Sequence, residues 1–222
     1  MRKRIMRVFT FVVGAGLAGL FWGSSVQAAV LGPEAAVAPI GATLTDWASS
    51  IQFPQFNPSL GTLLSVEINV SSNLSTTLTV SNTSPDSSSS GTATTELQMT
   101  VQDAGNNLAP FFTVYSPSFP YSLGPGGSIS SGLLTASNGS DNTYTSAPVL
   151  AEFTGLGDAS LNASTFTQTL LANTGGNTNS SQVTDASLNG TVTYVYSVPE
   201  PASLGLILAG LPLLAARRRR QA

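Results

Sequence analysis

An alternation of apolar and polar residues with a period of two is the feature that most restricts how this chain can fold. It is clearest in 62–70 (TLLSVEINV) and 73–80 (NLSTTLTV), and it returns in 95–101, 111–115 and 190–197. Successive side chains of a β-strand point to opposite faces, so this alternation predicts half-buried strands. The side chains predicted to face inward are Leu64, Val66, Ile68, Val70, Leu74, Thr76, Leu78, Val80, Leu97, Met99, Val101, Val192, Tyr194 and Tyr196.

Clusters of Ser, Asn, Pro and Gly separate the alternating runs and predict turns. No stretch of residues 29–198 has a helical period, so we expect helices only in the two end segments. Short antiparallel strands with one apolar face predict an all-β fold, and an antiparallel β-sandwich of the jelly-roll type rather than a closed barrel. The predicted turns are 71–72, 81–91, 105–107, 124–128 and 137–142.

The charges are strongly segregated along the chain. All eight Lys and Arg residues lie within the first seven residues or at 217–220, whereas residues 29–198 hold ten acidic residues and no basic one, a formal charge of −10. Such a segment repels a phosphate backbone, so no nucleic acid partner is expected. It is typical of a soluble, self-repelling extracellular surface.

The residue types that are absent exclude several kinds of chemistry. The chain has no Cys and no His, and residues 29–198 have no Lys. Disulfides, thiol nucleophiles, imidazole bases and histidine–cysteine zinc sites are therefore excluded, and no base is present to activate a serine. The acidic residues show no spacing that singles out a hydrolytic pair. We expect no enzyme activity, no cofactor and no metal site.

The N-terminal residues 1–28 have the pattern of a cleavable signal peptide. A basic start precedes an apolar run, 8–22, which is followed by small residues, and signal peptidase is expected to cut between Ala28 and Ala29. The run has fifteen residues, short of the ~20 that span a bilayer, which disfavours an uncleaved anchor. Residues 29–41 are interpreted as a loose lead-in, and 42–197 as the β-sandwich ectodomain.

The C-terminal residues 198–222 have three parts. Val198-Pro199-Glu200-Pro201 precedes an apolar segment, 202–216, and a tail, 217–222, in which Arg217, Arg218, Arg219 and Arg220 would stop transfer and stay in the cytoplasm. A helix of fifteen residues measures about 22 Å, against ~30 Å of hydrocarbon. A single, short transmembrane helix is therefore predicted, as a transient sorting signal or a permanent tail anchor.

This three-part C-terminus resembles a PEP-CTERM sorting domain. The resemblance implies recognition by exosortase, a membrane protease with its own catalytic Cys, His and Arg, in Gram-negative bacteria that make exopolysaccharide. Val198, Pro199, Glu200 and Pro201 would be the recognition residues, with Glu200 contacted by a cationic side chain of the enzyme. The Gram-positive sortase signal is absent, because 211–214 lacks the Thr-Gly that it needs.

A second resemblance concerns the ectodomain. Residues 52–70 (QFPQFNPSLGTLLSVEINV), 150–157 (LAEFTGLG) and the closing GTVTYVYSVPEP are similar to the choice-of-anchor E domain, over most of 42–197. Such domains occur with different C-terminal anchors, and the resemblance implies no particular molecular activity.

Two ligand sites are considered in the ectodomain. The acidic and amide residues of 103–107 and 138–142 offer oxygens to calcium, but plain turns have the same composition. Trp47, Phe53 and Phe56 offer rings to a glycan, but such residues more often fill a core.

The leading hypothesis is an exported, non-enzymatic cell-surface or exopolysaccharide-matrix protein. Its processing partners would be signal peptidase and exosortase. The Sec pathway would deliver it to the inner membrane, where its tail would hold it until processing released it to the surface or matrix. The alternatives are a glycan-binding module for extracellular polysaccharide and a permanently tail-anchored envelope protein.

Overall fold

Ten strands form nearly all of the protein that the computed structural model describes, residues 27–108 and 111–198. Every pair of named strands in this part is antiparallel, which confirms the all-β, antiparallel prediction. The elements are β1 Gln27–Ala35, β2 Ile40–Leu44, β3 Ala48–Pro54, a 3-10 helix Pro58–Leu60, β4 Thr62–Asn82, β5 Ser89–Gln102, β6 Phe111–Tyr115, β7 Phe119–Leu123, β8 Ser128–Tyr144, α1 Ala147–Glu152, β9 Asp158–Thr174 and β10 Thr178–Val198.

The strands make two five-stranded sheets. In sheet A the order is β1-β10-β4-β8, with β2 also paired to β10; in sheet B it is β3-β9-β5-β6, with β7 also paired to β5. The centre of sheet A is the pair β4–β10, which extends from Thr62 opposite Ser197 to Asn82 opposite Thr178. The centre of sheet B is the pair β5–β9, from Ser90 opposite Thr174 to Gln102 opposite Asn162.

The main core contains inward side chains of both sheets. Val66 and Ile68 of β4 pack in one cluster with Leu97 and Met99 of β5 and with Phe53 of β3, and all five are fully buried. Burying a side chain of this size contributes about 1.5–3 kcal/mol. A smaller apolar cluster lies apart from it. It contains Leu78, Val80, Ala93, Tyr121 and Leu123.

The predicted inward phase is correct for most of β4, β5 and β10 but wrong at the start of β4. Leu63 is buried and Leu64 is 44% exposed, because the β4–β10 register shifts between Val195 and Tyr196. The predicted turn at 71–72 is also wrong, since β4 continues through it and buries Ser72.

Two further predictions about regular structure are corrected. The predicted turn at 137–142 is part of β8, an edge strand whose exposed side chains hide its period. The short helix α1 was not predicted: Pro148 occupies its first turn and Val149 is its buried residue, and six residues are too few to show a helical period.

The predicted loose lead-in, 29–41, contains regular structure. Strand β1 and the start of β2 pair with β10 through the backbone while most of their side chains are exposed. A bulge between Leu31 and Glu34 interrupts the β1 register, so no apolar alternation marks this strand.

Several predicted features lie outside the described residues. These are signal-peptide residues 1–26, Pro199 to Pro201, the segment 202–216 and the arginines 217–220. Among the residues that are described, no helix is long and apolar enough to cross a membrane.

Candidate functional site

Strand β6 is apolar on both faces. Phe112 and Val114 point into the core and are 6% and 1% exposed. Phe111 and Tyr115 alternate with them and lie on the outer face of sheet B, where they are 54% and 53% exposed. The outer residue between them is Thr113. Two large rings on one outer face contribute to an exposed apolar patch, and such patches often mark interaction sites.

Strand β9 adds apolar side chains to the same outer face. Its Phe166 is 55% exposed and its Leu170 is 42% exposed. Strand β5 lies between β9 and β6, and its Gln98 is paired with Phe166 on one side and Thr113 on the other. We call Phe111, Tyr115, Phe166 and Leu170 the aromatic face.

The dimensions of the aromatic face follow from the sheet geometry. The Cα atoms of Phe111 and Tyr115 lie about 13 Å apart along β6, since a strand rises about 3.3 Å per residue. Phe166 lies two strands away from β6, about 10 Å across the sheet. The three rings therefore form a triangle rather than a stack.

Polar side chains fill the space between the rings. Gln98 donates a hydrogen bond from Nε2 to Oε1 of Glu96 over 3.1 Å, and Gln168 donates from Nε2 to Oε2 of Glu96 over 2.8 Å. Glu96 is paired with Tyr115 on β6 and Gln168 on β9, and it is only 9% exposed. Strands β5 and β9 thus hold one carboxylate and two amides beside the rings of the aromatic face.

A shallow depression of about 550 Å³ continues the same surface toward β3. It adjoins the aromatic face directly, because Thr100 in its lining is paired with Phe111. Its lining has no charged side chain. The lining residues are Ala48, Ser49, Ser50, Thr100, Gln102, Asn162, Ala163 and Ser164.

Rings beside hydroxyl and amide groups suit a polyhydroxylated ligand. The C–H faces of a sugar ring are apolar and can pack on Phe and Tyr, while its hydroxyls bond to amides and to Ser, Thr and Asn. Such a combination of apolar walls and a few placed polar groups is typical of small-molecule and glycan sites. The arrangement of rings, hydroxyls and amides on this face is therefore suited to binding a ligand.

The aromatic residues considered from the sequence lie elsewhere. Phe53 and Phe56 are fully buried in the main core, which confirms the core interpretation and removes them from any glycan site. Trp47 is half-buried and packs against the same core, and its Nε1 has no partner within the described part of the chain. The sequence signal that was missed is the run FFTVY, where Phe111 and Tyr115 make the second face of β6 apolar.

The candidate calcium loop at 103–107 uses its carboxylate internally. Asp103 is 2% exposed; its Oδ1 accepts from the backbone N–H of Leu108 over 2.7 Å, and its Oδ2 accepts from Asn107 Nδ2 over 2.8 Å and the Gly105 N–H over 3.2 Å. Burial raises the pKa of Asp103, but these hydrogen bonds outweigh it and hold the pKa below its usual value. The pKa of Glu152 is raised, mainly by burial and to a smaller extent by the nearby charge of Asp103.

The second candidate calcium loop, 138–142, is strand. Within it Asp141 lies opposite Asn69 of β4, and Asn138 donates from Nδ2 to the carbonyl oxygen of Thr113 over 2.7 Å. In the two described ranges, no three acidic side chains meet in a group that would hold a metal ion.

The structure describes part of each of the two predicted processing sites, the signal peptidase site and the sorting motif, and these parts lie close together. Ala28 is paired with Ser197 and Ala29 with Tyr196, so the expected signal peptidase site lies on β1 beside the end of β10. Val198, the first residue of the sorting motif, ends β10 opposite Gln27.

Comparisons with known proteins place this chain in no established family. No family model matches it, and no curated protein does. One solved structure, described as "Structure of infectious bursal disease virus Gx strain", is 13% identical and aligns with 90% of this chain and 50% of its own, with a TM-score of 0.14. The chain spans about half the length of that viral protein, and a likeness this weak supports no conclusion about fold or function.

Proposed function

We propose that this chain is an exported, non-enzymatic surface or matrix protein whose β domain binds an extracellular polysaccharide. The observation that carries the proposal is the aromatic face, in which three exposed rings lie beside the ordered amides of Gln98 and Gln168. The adjoining uncharged depression would extend the contact along a polymer. The lack of Cys, His and Lys in residues 29–198 supports a binding rather than a catalytic role.

The finer fold proposed for this domain is a jelly roll. Two Greek keys of eight strands in two sheets define that architecture. Strands β1 and β2 both pair with β10, and β6 and β7 both pair with β5, so each of these two pairs can be counted as one interrupted strand. Renumbering the resulting strands from 1 to 8 along the chain gives two four-stranded sheets, in the orders 1-8-3-6 and 2-7-4-5. That order is the jelly-roll order, and it supports the proposal.

Sorting by exosortase through Val198-Pro199-Glu200-Pro201 remains part of the proposal. Its support is the C-terminal sequence pattern, together with the position of Val198 at the end of the last strand. The inner membrane would then be a transient station, and a permanent tail anchor is the alternative. Cell fractionation of the wild type beside Glu200→Ala tests this: the wild type should be shortened and leave the inner membrane, and the variant should stay there. Wild type that stays full-length in the membrane of a host with exosortase would rule out sorting.

Affinity electrophoresis through gels that contain soluble polysaccharides tests the binding role. The triple variant Phe111→Ser, Tyr115→Ser and Phe166→Ser should no longer be retarded by the polysaccharide. It replaces the three rings with small polar side chains and leaves the backbone of the sheet unchanged. The matched control is Leu133→Ser with Leu156→Ser, two apolar residues that are 71% and 84% exposed outside the aromatic face. The control should bind like the wild type. Equal retardation of the triple variant and the wild type would contradict the proposed site.

A further inference from the structure

We propose that the aromatic face selects uncharged polysaccharides over polyanionic ones, and that Glu96 is the positioning residue that sets this selectivity. The inference rests on the polysaccharide-binding role proposed above and names its ligand class. It depends on how Glu96 is held and on the charges around it.

Glu96 fixes the orientation of two neighbouring amides. Each of its oxygens accepts from a different glutamine, Oε1 from Gln98 and Oε2 from Gln168. A carboxylate accepts hydrogen bonds and cannot donate them, so both amides must present nitrogen to Glu96. Each amide then keeps its carbonyl oxygen and one N–H for a ligand. Sugar hydroxyls, which donate and accept, match these groups.

The charge on the aromatic face is negative, and the part of the chain that the structure describes supplies no cation to balance it. Glu96 is 9% exposed between Tyr115 and Gln168, and residues 29–198 contain no Lys, Arg or His that could neutralise it. A ligand carboxylate, sulfate or phosphate placed on the amides would lie near this carboxylate in a partly desolvated site. Like charges in that setting disfavour binding, and the formal charge of −10 on residues 29–198 slows the approach of a polyanion.

Glu96 therefore has two separable effects. Its geometry aligns Gln98 and Gln168 for hydroxyl recognition, and its charge rejects anionic polymers. Glu96→Gln removes the charge and keeps nearly the same volume. Glu96→Asp keeps the charge and withdraws it from the amides by one methylene.

The test uses the full chain in detergent solution with matched polysaccharide pairs. The probes are a soluble glucan, a galactan and a mannan, each beside the same polymer after oxidation of its C6 hydroxyls to carboxylates. The wild type should bind at least one neutral polymer at least about tenfold more tightly than the oxidised form of that polymer. We call this difference in affinity the gap, and added salt should narrow it. Glu96→Gln should narrow the gap at low salt, and Glu96→Asp should weaken neutral binding while the gap remains.

A control variant separates the role of Glu96 from net charge. Glu67→Gln makes the same change on the exposed outer face of sheet A and should leave the gap unchanged. Equal binding of neutral and oxidised polymers by the wild type would overturn this inference and leave the binding role standing. Binding of no polymer in the panel would overturn both. A Glu96→Gln variant with wild-type melting temperature and an unchanged gap would show that Glu96 does not set the selectivity.

Discussion

The phenol of Tyr194 on β10 donates a hydrogen bond to the backbone carbonyl of Pro54 on β3 and so connects sheet A to sheet B. Tyr194 is 1% exposed, and its ring lies 5.8 Å from that of Phe56 and 6.4 Å from that of Phe153, centroid to centroid. One side chain thus supplies both aromatic packing and a polar bond between the sheets.

Tyr194→Phe should lower the free energy of unfolding by about 0.5–1.5 kcal/mol, because it keeps the ring and removes the hydrogen bond to the part-buried carbonyl of Pro54. Urea denaturation followed by circular dichroism measures this. Tyr115→Phe, at a site that is 53% exposed, is the control and should change stability little. Equal stability of Tyr194→Phe and the wild type would show that the hydrogen bond contributes nothing.

The protein should lose stability at alkaline pH through Tyr194. Burial, and then the charge of Glu34, raise the pKa of this phenol above its ordinary value of 10.0. The folded state therefore favours the neutral phenol, and the stability it contributes is complete below pH 10 and declines above it. The melting temperature of the wild type should fall more between pH 9 and pH 11 than that of Tyr194→Phe. Parallel curves would contradict this origin of the decline.

Asp103→Asn should destabilise the 103–107 turn. The amide has one acceptor oxygen in place of two, so it cannot hold the N–H of Leu108 and the side chain of Asn107 as the carboxylate does. The expected loss is about 1–3 kcal/mol at neutral pH. Because the pKa of Asp103 is lowered, its contribution is present above pH 3.8 and disappears as the pH falls below that value. The variant and wild type should therefore converge in acid, and a constant difference down to pH 2 would argue against this role.

Glu152→Gln should raise the melting temperature at pH 7. Burial and the charge of Asp103 raise the pKa of Glu152 above 4.5, so ionisation of this carboxyl opposes folding as the pH rises above that value. The gain should vanish below about pH 4, where the carboxyl is protonated in both states. Asp158→Asn, on an exposed residue at the start of β9, is the charge-matched control. A gain of the same size in the control would assign the effect to net charge.

The alternating runs predict the inner faces of β4 and of the C-terminal parts of β5 and β10, whereas β3 and β9, whose buried residues also alternate, were not predicted. Alternation with polar neighbours places Val66, Ile68, Leu97 and Met99 on an inward face, and all four are buried. The alternation is clear in these strands because one face is buried in the core and the other faces solvent. That contrast is missing in β1 and β8, which lie at the edges of sheet A, and both strands escaped prediction. Backbone pairing with β10 and β4 defines these strands, and side-chain composition does not record such pairing.

The candidate site depends on registers that no local pattern contains. Phe111 and Phe166 reach one face only because β5 pairs with both β6 and β9, more than fifty residues apart. The run FFTVY was interpreted as one more alternating strand, and its second apolar face, formed by Phe111 and Tyr115, was not used as a sign of a surface site. The sequence alone directed attention to Trp47, Phe53 and Phe56, whose rings serve the core.

Nuclear magnetic resonance can show whether a neutral polysaccharide binds at the aromatic face. The full chain in detergent is titrated with a neutral polysaccharide that retards it in gels. The side-chain amides of Gln98 and Gln168 and the ring signals of Phe111 and Phe166 should shift together and saturate at one ligand concentration. The side-chain amides of Asn69 and Asn73, exposed on the outer face of sheet A, should stay unchanged. Shifts centred on Asn69 and Asn73, with Gln98 and Gln168 unaffected, would place the polysaccharide on sheet A and rule out binding at the aromatic face.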